Sequence, residues 1–168
     1  GFAGIAMVQN NTLHRIPGPD GEGHNTRIDA KQTKVIGKGE YRRRGSDLSI
    51  VGTSHTLQLA LRALDSDGCA GISADVIDLR TVKPLDEDII LESIARTGRL
   101  LVVDPGWAMG GVCAEVGCLV AEKAFDLLRA PIRRVGLPDA PAPAGYALEQ
   151  AYYPNESTLA AAIRAVCG

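Results

Sequence analysis

The clearest pattern of hydrophobic and polar positions in this chain runs over residues 100–128. It opens with the apolar run LLVVD at 100–104, whose length and β-branched residues are typical of a strand buried on both faces. The glycine-rich stretch PGWAMGG follows at 105–111. Helical spacing then places five apolar residues on one stripe: Val112, Val116, Leu119, Val120 and Leu127. The pattern predicts a strand, a tight turn and a helix, which is the repeating unit of an open α/β sheet.

Other apolar runs predict the remaining strands of that sheet. Residues 48–53, 73–79 and 131–137 have the composition of central strands, like 100–104. Residues 37–44 (GKGEYRRR) alternate enough for a short edge strand, and their charges suit an edge that avoids pairing with other chains. We expect this charged strand to join the sheet antiparallel.

Two helices are expected between the strands in the first half of this pattern. The first runs from about residue 55 to 64, with Ser54 placed to cap it. The second is opened by Pro84 and Asp86, and Gly98 closes it where a left-handed backbone is common.

The end of the chain predicts two more helices. Residues 146–153 carry three of the few aromatic residues on a short helix, and Asn155 caps a final helix. The alternation of strands and helices predicts an α/β fold with three layers, α/β/α. Its sheet is mostly parallel and five-stranded with one antiparallel edge strand, and its helices cover both faces through right-handed crossovers.

The first 36 residues differ in character from the rest of the chain. Residues 1–8 (GFAGIAMV) have the pattern of a strand that lacks its neighbours. Residues 9–36 are polar, rich in turn-forming residues and typical of a linker. We therefore divide the chain into residues 1–36 and a domain over residues 37–168.

Composition limits the classes of function. The chain has 168 residues, of which 45% are hydrophobic, and a formal net charge of −2. It is large enough for one domain with a core, and it has no basic block of the size that nucleic acid or an anionic membrane would need. Its apolar runs are shorter than the roughly 18 residues of a membrane span, and no secretory signal is visible. We expect a soluble cytoplasmic or organellar protein.

None of the cysteines has the CxxC spacing of a metal or redox site; they are Cys69, Cys113, Cys118 and Cys167. Cys113 and Cys118 lie about 140° apart around one predicted helix, so they do not share a face. We interpret all four as small buried residues of a reduced intracellular protein, and we expect no metal site.

A candidate binding loop lies in the glycine-rich turn. Gly110 and Gly111 are placed where a helix N-terminus presents free N–H groups, so an anion could bind there, with His55 at the same edge of the sheet. The alternative is that the glycines only allow a sharp turn, because no GxGxxG spacing accompanies them, and that His55 is structural. Trp107, the only tryptophan, lies in the same loop and is typical of a protein interface.

Catalytic constellations are scarce. Asp78 and Asp104 end two predicted strands that we expect to be adjacent, so they form either a paired-carboxylate site or, more commonly, two loop caps. The arginines at 42–44 are either an anion patch or a solvated sheet edge. The GxSxG, P-loop and HExxH motifs are missing from the sequence. We therefore expect no catalytic, cofactor-binding or metal-binding residue on this chain.

Six stretches of the chain are shared, in order, with a known family: GKGEYRRRGSDLSIVGTS, DVIDLRTVKPLDEDIILES, TGRLLVVD, GGVCAEV, EKAFDLLRAPIRRVGLPDAPAP and LEQAYYP. They resemble the C-terminal domain of the transketolase family. The resemblance is closest to the β subunit of the decarboxylating component of 2-oxo-acid dehydrogenase complexes, of the pyruvate, branched-chain and acetoin types. The stretch AMVQNNTLHRIPGP is similar to the end of the preceding pyrimidine-binding domain and its linker in that subunit.

The resemblance implies that this chain is an assembly domain rather than a catalytic one. Thiamine diphosphate and Mg²⁺ would bind in the intact enzyme, in domains whose motifs this chain does not contain. That enzyme is an oxidoreductase that decarboxylates a 2-oxo acid and passes the acyl group to lipoamide. The implied partners are the α subunit, a sister β subunit in a homo-oligomeric contact, and the dihydrolipoyl acyltransferase core. The implied location is the cytoplasm or, in a eukaryote, the mitochondrial matrix.

One residue departs from the family pattern. Many relatives carry an acidic residue just before an Ala-Pro pair, where this chain has Arg129, which weakens the expectation of acyltransferase docking. Two alternatives stay open. The chain is a stand-alone α/β module for a small anion or nucleotide, or it is the C-terminal domain of a transketolase or deoxyxylulose-phosphate synthase. The tail LPDAPAP…LE…YYP fits the dehydrogenase β subunits better, and the sequence does not specify the 2-oxo acid.

Overall fold

A computed structural model describes residues 35–168, in which five strands alternate with five helices. The strands are β1 (Glu40–Arg43), β2 (Leu48–Gly52), β3 (Ala74–Asp78), β4 (Leu100–Trp107) and β5 (Arg133–Leu137). The helices are α1 (Ser54–Leu64), α2 (Glu87–Thr97), α3 (Val112–Lys123), α4 (Tyr146–Tyr152) and α5 (Glu156–Cys167). The predicted strand at 1–8 and the predicted linker, up to residue 34, lie outside the described residues.

The strands form one sheet in the order β1-β3-β2-β4-β5. β1 runs antiparallel to β3, whereas β2 pairs parallel with both β3 and β4, and β4 pairs parallel with β5. The predicted α/β class is therefore confirmed, as is the mostly parallel five-stranded sheet with an antiparallel edge strand.

Helices cover both faces of this sheet. α1 and α5 pack on one face, where Leu57, Leu159 and Ile163 belong to one apolar cluster. α2 and α3 pack on the other face, where Ile90 and Val116 belong to a second cluster. Each of these side chains is almost fully removed from water, which stabilises the fold by roughly 1.5–3 kcal/mol per large aliphatic residue. The three-layer arrangement follows from these two clusters.

The ends of two helices match the residues that predicted them. Gly98 ends α2 with a left-handed backbone at φ 66°, a conformation that glycine adopts without steric cost. Asn155 caps α5, because its Oδ1 accepts a hydrogen bond from the Thr158 backbone N–H at 3.0 Å. Both predictions are confirmed.

The cap predicted for α1 is wrong. Ser54 is the first helical residue and not the cap, and the residue before it, Thr53, makes no side-chain capping bond. The Thr53 hydroxyl instead donates to Asp104 on the neighbouring strand, so a tertiary contact takes the group that would have capped the helix.

Two further predictions fail at β5 and at the end of α3. The strand predicted as central over 131–137 is an edge strand, since β5 pairs only with β4, and its exposed Arg133 and Arg134 suit that position. α3 ends at Lys123 because Ala124 leaves the helical backbone at φ −144°. Leu127, placed on the buried stripe by the sequence pattern, is consequently 46% exposed on a single 3-10 turn.

The three arginines of the β1 edge are each paired with a carboxylate. Arg42 pairs with Glu40, Arg43 with Asp65, and Arg44 with Glu92. The edge interpretation is therefore favoured over the anion patch, because these cations already have partners on the same surface.

A buried carboxylate joins β3 to α2. Asp75 is fully buried, and its oxygens accept hydrogen bonds from the Gly45 backbone N–H at 2.9 Å and from the Ser93 hydroxyl at 2.5 Å. Arg96 of α2 forms an ion pair with the same carboxylate. Burying a charge is unfavourable unless it is paired and hydrogen-bonded. The Asp75 carboxylate meets this requirement through Gly45, Ser93 and Arg96.

The same network continues into the central strand. The Ser49 hydroxyl lies 2.5 Å from the Ser93 hydroxyl and 2.7 Å from that of Thr97, and all three residues are buried. These contacts fix the position of α2 along β2, because hydroxyl groups bond in few geometries whereas apolar contacts tolerate sliding.

Replacing Asp75 with Ala should lower the free energy of unfolding by about 2–4 kcal/mol, because the buried donors that face it lose their acceptor. Urea denaturation followed by circular dichroism measures the change. Asp139→Ala, at an exposed carboxylate, is the control and should change stability by less than about 0.5 kcal/mol. Equal losses in the two variants would contradict a structural role for the Asp75 network.

Candidate functional site

The order in which strands are added to the sheet reverses between the neighbouring strands β2 and β4. After β2 the chain passes through α1 to β3 on one side, and after β4 it passes through α3 to β5 on the other side. The two strands are direct neighbours, with Gly52 opposite Val103 at their carboxyl ends. In open α/β sheets, ligands bind in the crevice that such a reversal creates. This edge is therefore the candidate site.

A hydrogen bond closes the crevice between the two strand ends. The Thr53 hydroxyl donates to Asp104 Oδ1 at 2.6 Å, and both side chains are buried. The other carboxylate oxygen, Oδ2, accepts from the Gly106 backbone N–H at 2.9 Å. Asp104 thus joins the end of β4 to the end of β2 with both of its oxygens, and sequence analysis named Asp104 but not its partner Thr53.

The predicted juxtaposition of Asp78 with Asp104 is wrong. Asp78 ends β3, and β2 lies between β3 and β4 in the sheet. Asp78 accepts a hydrogen bond from the Arg80 backbone N–H at 3.1 Å, as a loop-capping aspartate does. The sequence could not show that β2 lies between β3 and β4, because strands that follow each other in the chain need not be neighbours in the sheet.

The loop after Asp104 exposes apolar side chains. β4 continues to Trp107, beyond the predicted end at Asp104, because Leu137 of β5 runs alongside and accepts a hydrogen bond from the Ala108 backbone N–H. Trp107 is 57% exposed and Met109 is 66% exposed. Such side chains on a loop are typical of a contact surface.

The two glycines of this loop are needed for different reasons. Gly110 has a left-handed backbone at φ 68°, with open space around it. Gly111 precedes α3 with φ −105°, and a Cβ atom there would lie 2.4 Å from the Trp107 carbonyl oxygen. The requirement at Gly111 is therefore space for a close backbone approach, which matches the sharp-turn interpretation.

The fourth candidate residue lies on a different element from this loop. His55 is exposed in the first turn of α1, and α1 covers the opposite face of the sheet from α3. The structure thus places Trp107, Gly110 and Gly111 between β4 and the start of α3, and His55 in the helix that follows the neighbouring strand β2.

The surroundings of the thiol at the start of α3 favour its neutral form. Burial, with a smaller contribution from the charge of Asp104, raises the pKa of Cys113 to about 11. Roughly one thiol in ten thousand is then ionised at pH 7. Cys118, on the same helix, is exposed and Cys167 is half-buried, so the prediction that all four cysteines are buried is confirmed only for Cys69 and Cys113.

Within residues 35–168, the structure contains no group of three or more His, Cys, Asp or Glu side chains placed to hold a metal ion. Every buried side-chain nitrogen or oxygen in this described part has a hydrogen-bond partner. None of its helices is both long and apolar enough to cross a membrane.

An apolar groove near the end of α3 was missed by the sequence analysis. It has a volume of about 710 Å³ and is lined by Ala121, Phe125, Asp126, Leu128, Arg129, Ala130, Pro131 and Ile132. Phe125 is 68% exposed. Most of the stretch that forms this groove follows α3 directly, where the sequence pattern predicted that the helix continues as far as Leu127. The exposed phenylalanine marks a second surface.

Comparison with known proteins decides the family. The model for the transketolase C-terminal domain matches residues 37–159. The chain belongs to this family. A solved structure described as "Split gene transketolase, inactive beta4 tetramer" has the same fold, with a TM-score of 0.71 and 24% identity over 88% of this chain and 47% of its own.

Several curated relatives share this domain. The "Pyruvate dehydrogenase E1 component subunit beta" of Rickettsia felis is 42% identical over 132 residues, 79% of this chain and 40% of the relative. The subunit of the same name from Rickettsia bellii is 38% identical over 164 residues, 97% of this chain and 48% of the relative. In Bacillus subtilis, "Acetoin:2,6-dichlorophenolindophenol oxidoreductase subunit beta" is 35% identical over 76% of this chain and 37% of the relative.

These relatives confirm the resemblance to dehydrogenase β subunits. The chain spans less than half the length of each of the three, at 40%, 48% and 37%. The match therefore covers one domain, and the activity and partners of the full-length relatives do not follow from it.

Replacing Gly111 with Ala should destabilise the fold by about 1–3 kcal/mol, because the new Cβ atom overlaps the Trp107 carbonyl oxygen. Thermal and urea unfolding measure the loss. Gly145→Ala is a matched control, since Gly145 also precedes a helix, has φ −107° and has open space around its Cβ position. Equal stability of the two variants would show that the Trp107 backbone does not restrict position 111.

Proposed function

We propose that this chain is the assembly domain of the β subunit of a thiamine diphosphate-dependent 2-oxo-acid dehydrogenase. The family match over residues 37–159, together with the named relatives, carries the proposal. In the intact enzyme, a 2-oxo acid would be decarboxylated and its acyl group passed to lipoamide. Residues 1–36 would be the end of a pyrimidine-binding domain with its linker, and residues 37–168 would be the C-terminal domain.

The geometry of the sheet edge supports an assembly role rather than a catalytic one. The buried Thr53 and Asp104 side chains at this edge bond to each other, and burial raises the pKa of Cys113 to about 11. The Asp104 carboxylate at this edge bonds to Thr53 and to the Gly106 backbone, and the described residues contain no group of three or more His, Cys, Asp or Glu side chains placed to hold a metal ion. The cofactor would therefore bind in other parts of the enzyme.

The exposed loop is the surface that we assign to the sister subunit. Trp107 and Met109 present apolar area next to a rigid strand pair, a combination that favours association with another protein surface. The α subunit would complete the enzyme. Relatives from bacteria and the "mitochondrial" subunit of Dictyostelium discoideum support a location in the cytoplasm or the mitochondrial matrix.

The full chain should self-associate, and Trp107→Asp should raise its dissociation constant at least about tenfold, because a carboxylate would be buried in an apolar contact. Sedimentation velocity over a concentration series measures this. Phe125→Asp, at an equally exposed aromatic residue beyond the other end of α3, is the control and should leave association unchanged. A chain that stays monomeric at high concentration, or two variants with the same effect, would contradict the assignment.

The groove beside Phe125 is the candidate surface for the acyltransferase core. Docking in this family sets acidic groups on the domain against a basic binding module, where opposite charges favour association. Arg129 lines the groove, and its positive charge would repel a basic module. Asp126, which is negatively charged, also lines the groove. We therefore place docking second to self-association among the proposed contacts of this chain.

Two other functions are distinguishable from the assembly role. A stand-alone module for a small anion or nucleotide is favoured only by the helix N-terminus after Gly111. A transketolase or deoxyxylulose-phosphate synthase domain would share the fold, but the relatives reported above are dehydrogenase and acetoin oxidoreductase β subunits.

Titration with sulfate, phosphate and nucleotides should produce no saturable change in tryptophan fluorescence, which reports the loop directly because Trp107 is the only tryptophan. The chain should also fail to turn over 2-oxo acids when thiamine diphosphate and Mg²⁺ are added. Saturable binding would favour the stand-alone module. Turnover would show that the reactive groups lie on this chain and would overturn the assembly role.

A further inference from the structure

The chain enters the domain along a short strap that is held by the loop between β3 and α2. We define the strap as residues 35–39, which lead directly into β1. The Gly37 backbone N–H donates to the Thr81 hydroxyl oxygen at 3.0 Å, and the Gly39 backbone N–H donates to Asp86 Oδ2 at 3.0 Å. Two backbone groups of the strap thus bond to side chains more than 40 residues away.

Asp86 uses its carboxylate for the strap instead of for its own helix. It occupies the position before α2 where an aspartate commonly caps, but it makes no capping bond. Its second oxygen, Oδ1, forms an ion pair with Lys38 Nζ at 3.4 Å. The Asp86 side chain is only 6% exposed, whereas that of Lys38 is 61% exposed, so the carboxylate is held in place beneath the strap.

Thr81 is fixed in the same way. Its hydroxyl accepts from the Gly37 N–H and donates to the Pro84 carbonyl oxygen at 3.0 Å, so both of its roles are taken. Arg80, the residue before it, forms an ion pair with Glu40 at the start of β1. The loop therefore contacts the strap at Gly37 and Gly39 and the start of β1 at Glu40.

The strap lies close enough to the loop to require glycine. Gly37 has φ 81°, and a Cβ atom there would lie 2.8 Å from Pro84 Cγ. At Gly39 a Cβ atom would lie 3.1 Å from Ile89 Cγ2 of α2. The path of the strap is thus set by backbone contacts as well as by hydrogen bonds.

We propose that Asp86 and Thr81 form a clasp that fixes the direction in which the polypeptide enters this domain. The clasp is a positioning device: it holds Gly37 and Gly39 and thereby sets the direction in which the strap reaches β1. It does not depend on the identity of the enzyme, since every contact that forms it lies within residues 37–89.

Asp86→Ser separates the clasp from helix capping, because serine caps helices well but is too short to reach the Gly39 N–H. Spin labels on Val35→Cys and on the exposed native Cys118 report the direction of the strap, in the full chain with Cys167→Ser. Pulsed electron–electron double resonance measures the distance between the two labels. It should give one narrow distribution in the parent and a distribution at least about twice as wide in Asp86→Ser. Asp88→Ser, at an exposed carboxylate of the same helix, should keep the narrow distribution.

Amide hydrogen exchange separates loss of the clasp from loss of the fold. In Asp86→Ser, the Gly39 amide should exchange at least about tenfold faster, while the Ile50 amide of β2 should keep its rate. In Thr81→Val, the Gly37 amide should exchange at least about tenfold faster while the Ile50 amide keeps its rate. This variant provides the test if Asp86→Ser does not fold. An unchanged distance distribution, or equal acceleration at Gly39 and Ile50, would overturn the proposal.

Discussion

The hydrogen bonding of β2 on both sides is the constraint on which the rest of this structure depends. The strand is buried at every position and pairs parallel with β3 and with β4. Because parallel neighbours need crossovers, α1 and α2 must cover opposite faces, and the apolar core divides into two clusters. The Ser49 hydroxyl then fixes α2 against this strand through Ser93 and Thr97.

The same constraint determines what the sheet edge can do. Reversal of the strand order beside β2 creates a crevice, and the Thr53 hydroxyl donates to Asp104 at the ends of the two strands that flank it. The polar groups that would bind a ligand are thereby satisfied within the domain, while the loop that carries Trp107 remains exposed. This arrangement supports the proposed assembly role, in which the loop around Trp107 contacts another protein.

Much of the fold could be predicted because buried strands and amphipathic helices leave clear periods in the sequence. Gly98 and Asn155 marked helix ends through local chemistry alone. Two of the errors depend on distant partners. The Thr53 hydroxyl bonds to Asp104 and therefore does not cap α1. Asp78 and Asp104 end strands that are separated by β2 in the sheet. The candidate loop was found from its glycines, but the groove at Phe125 was not, because an apolar residue beyond a helix end has the same spacing as one inside it.

Concentration-dependent hydrogen exchange tests most directly the claim that the loop around Trp107 is an assembly surface. The full chain would be compared at low and high protein concentration under otherwise identical conditions. We predict that the amides of Met109 and Gly110 become protected as concentration rises, while those of the exposed turn at Phe125–Leu127 keep their rates. Equal exchange of the loop amides at all concentrations would contradict the account.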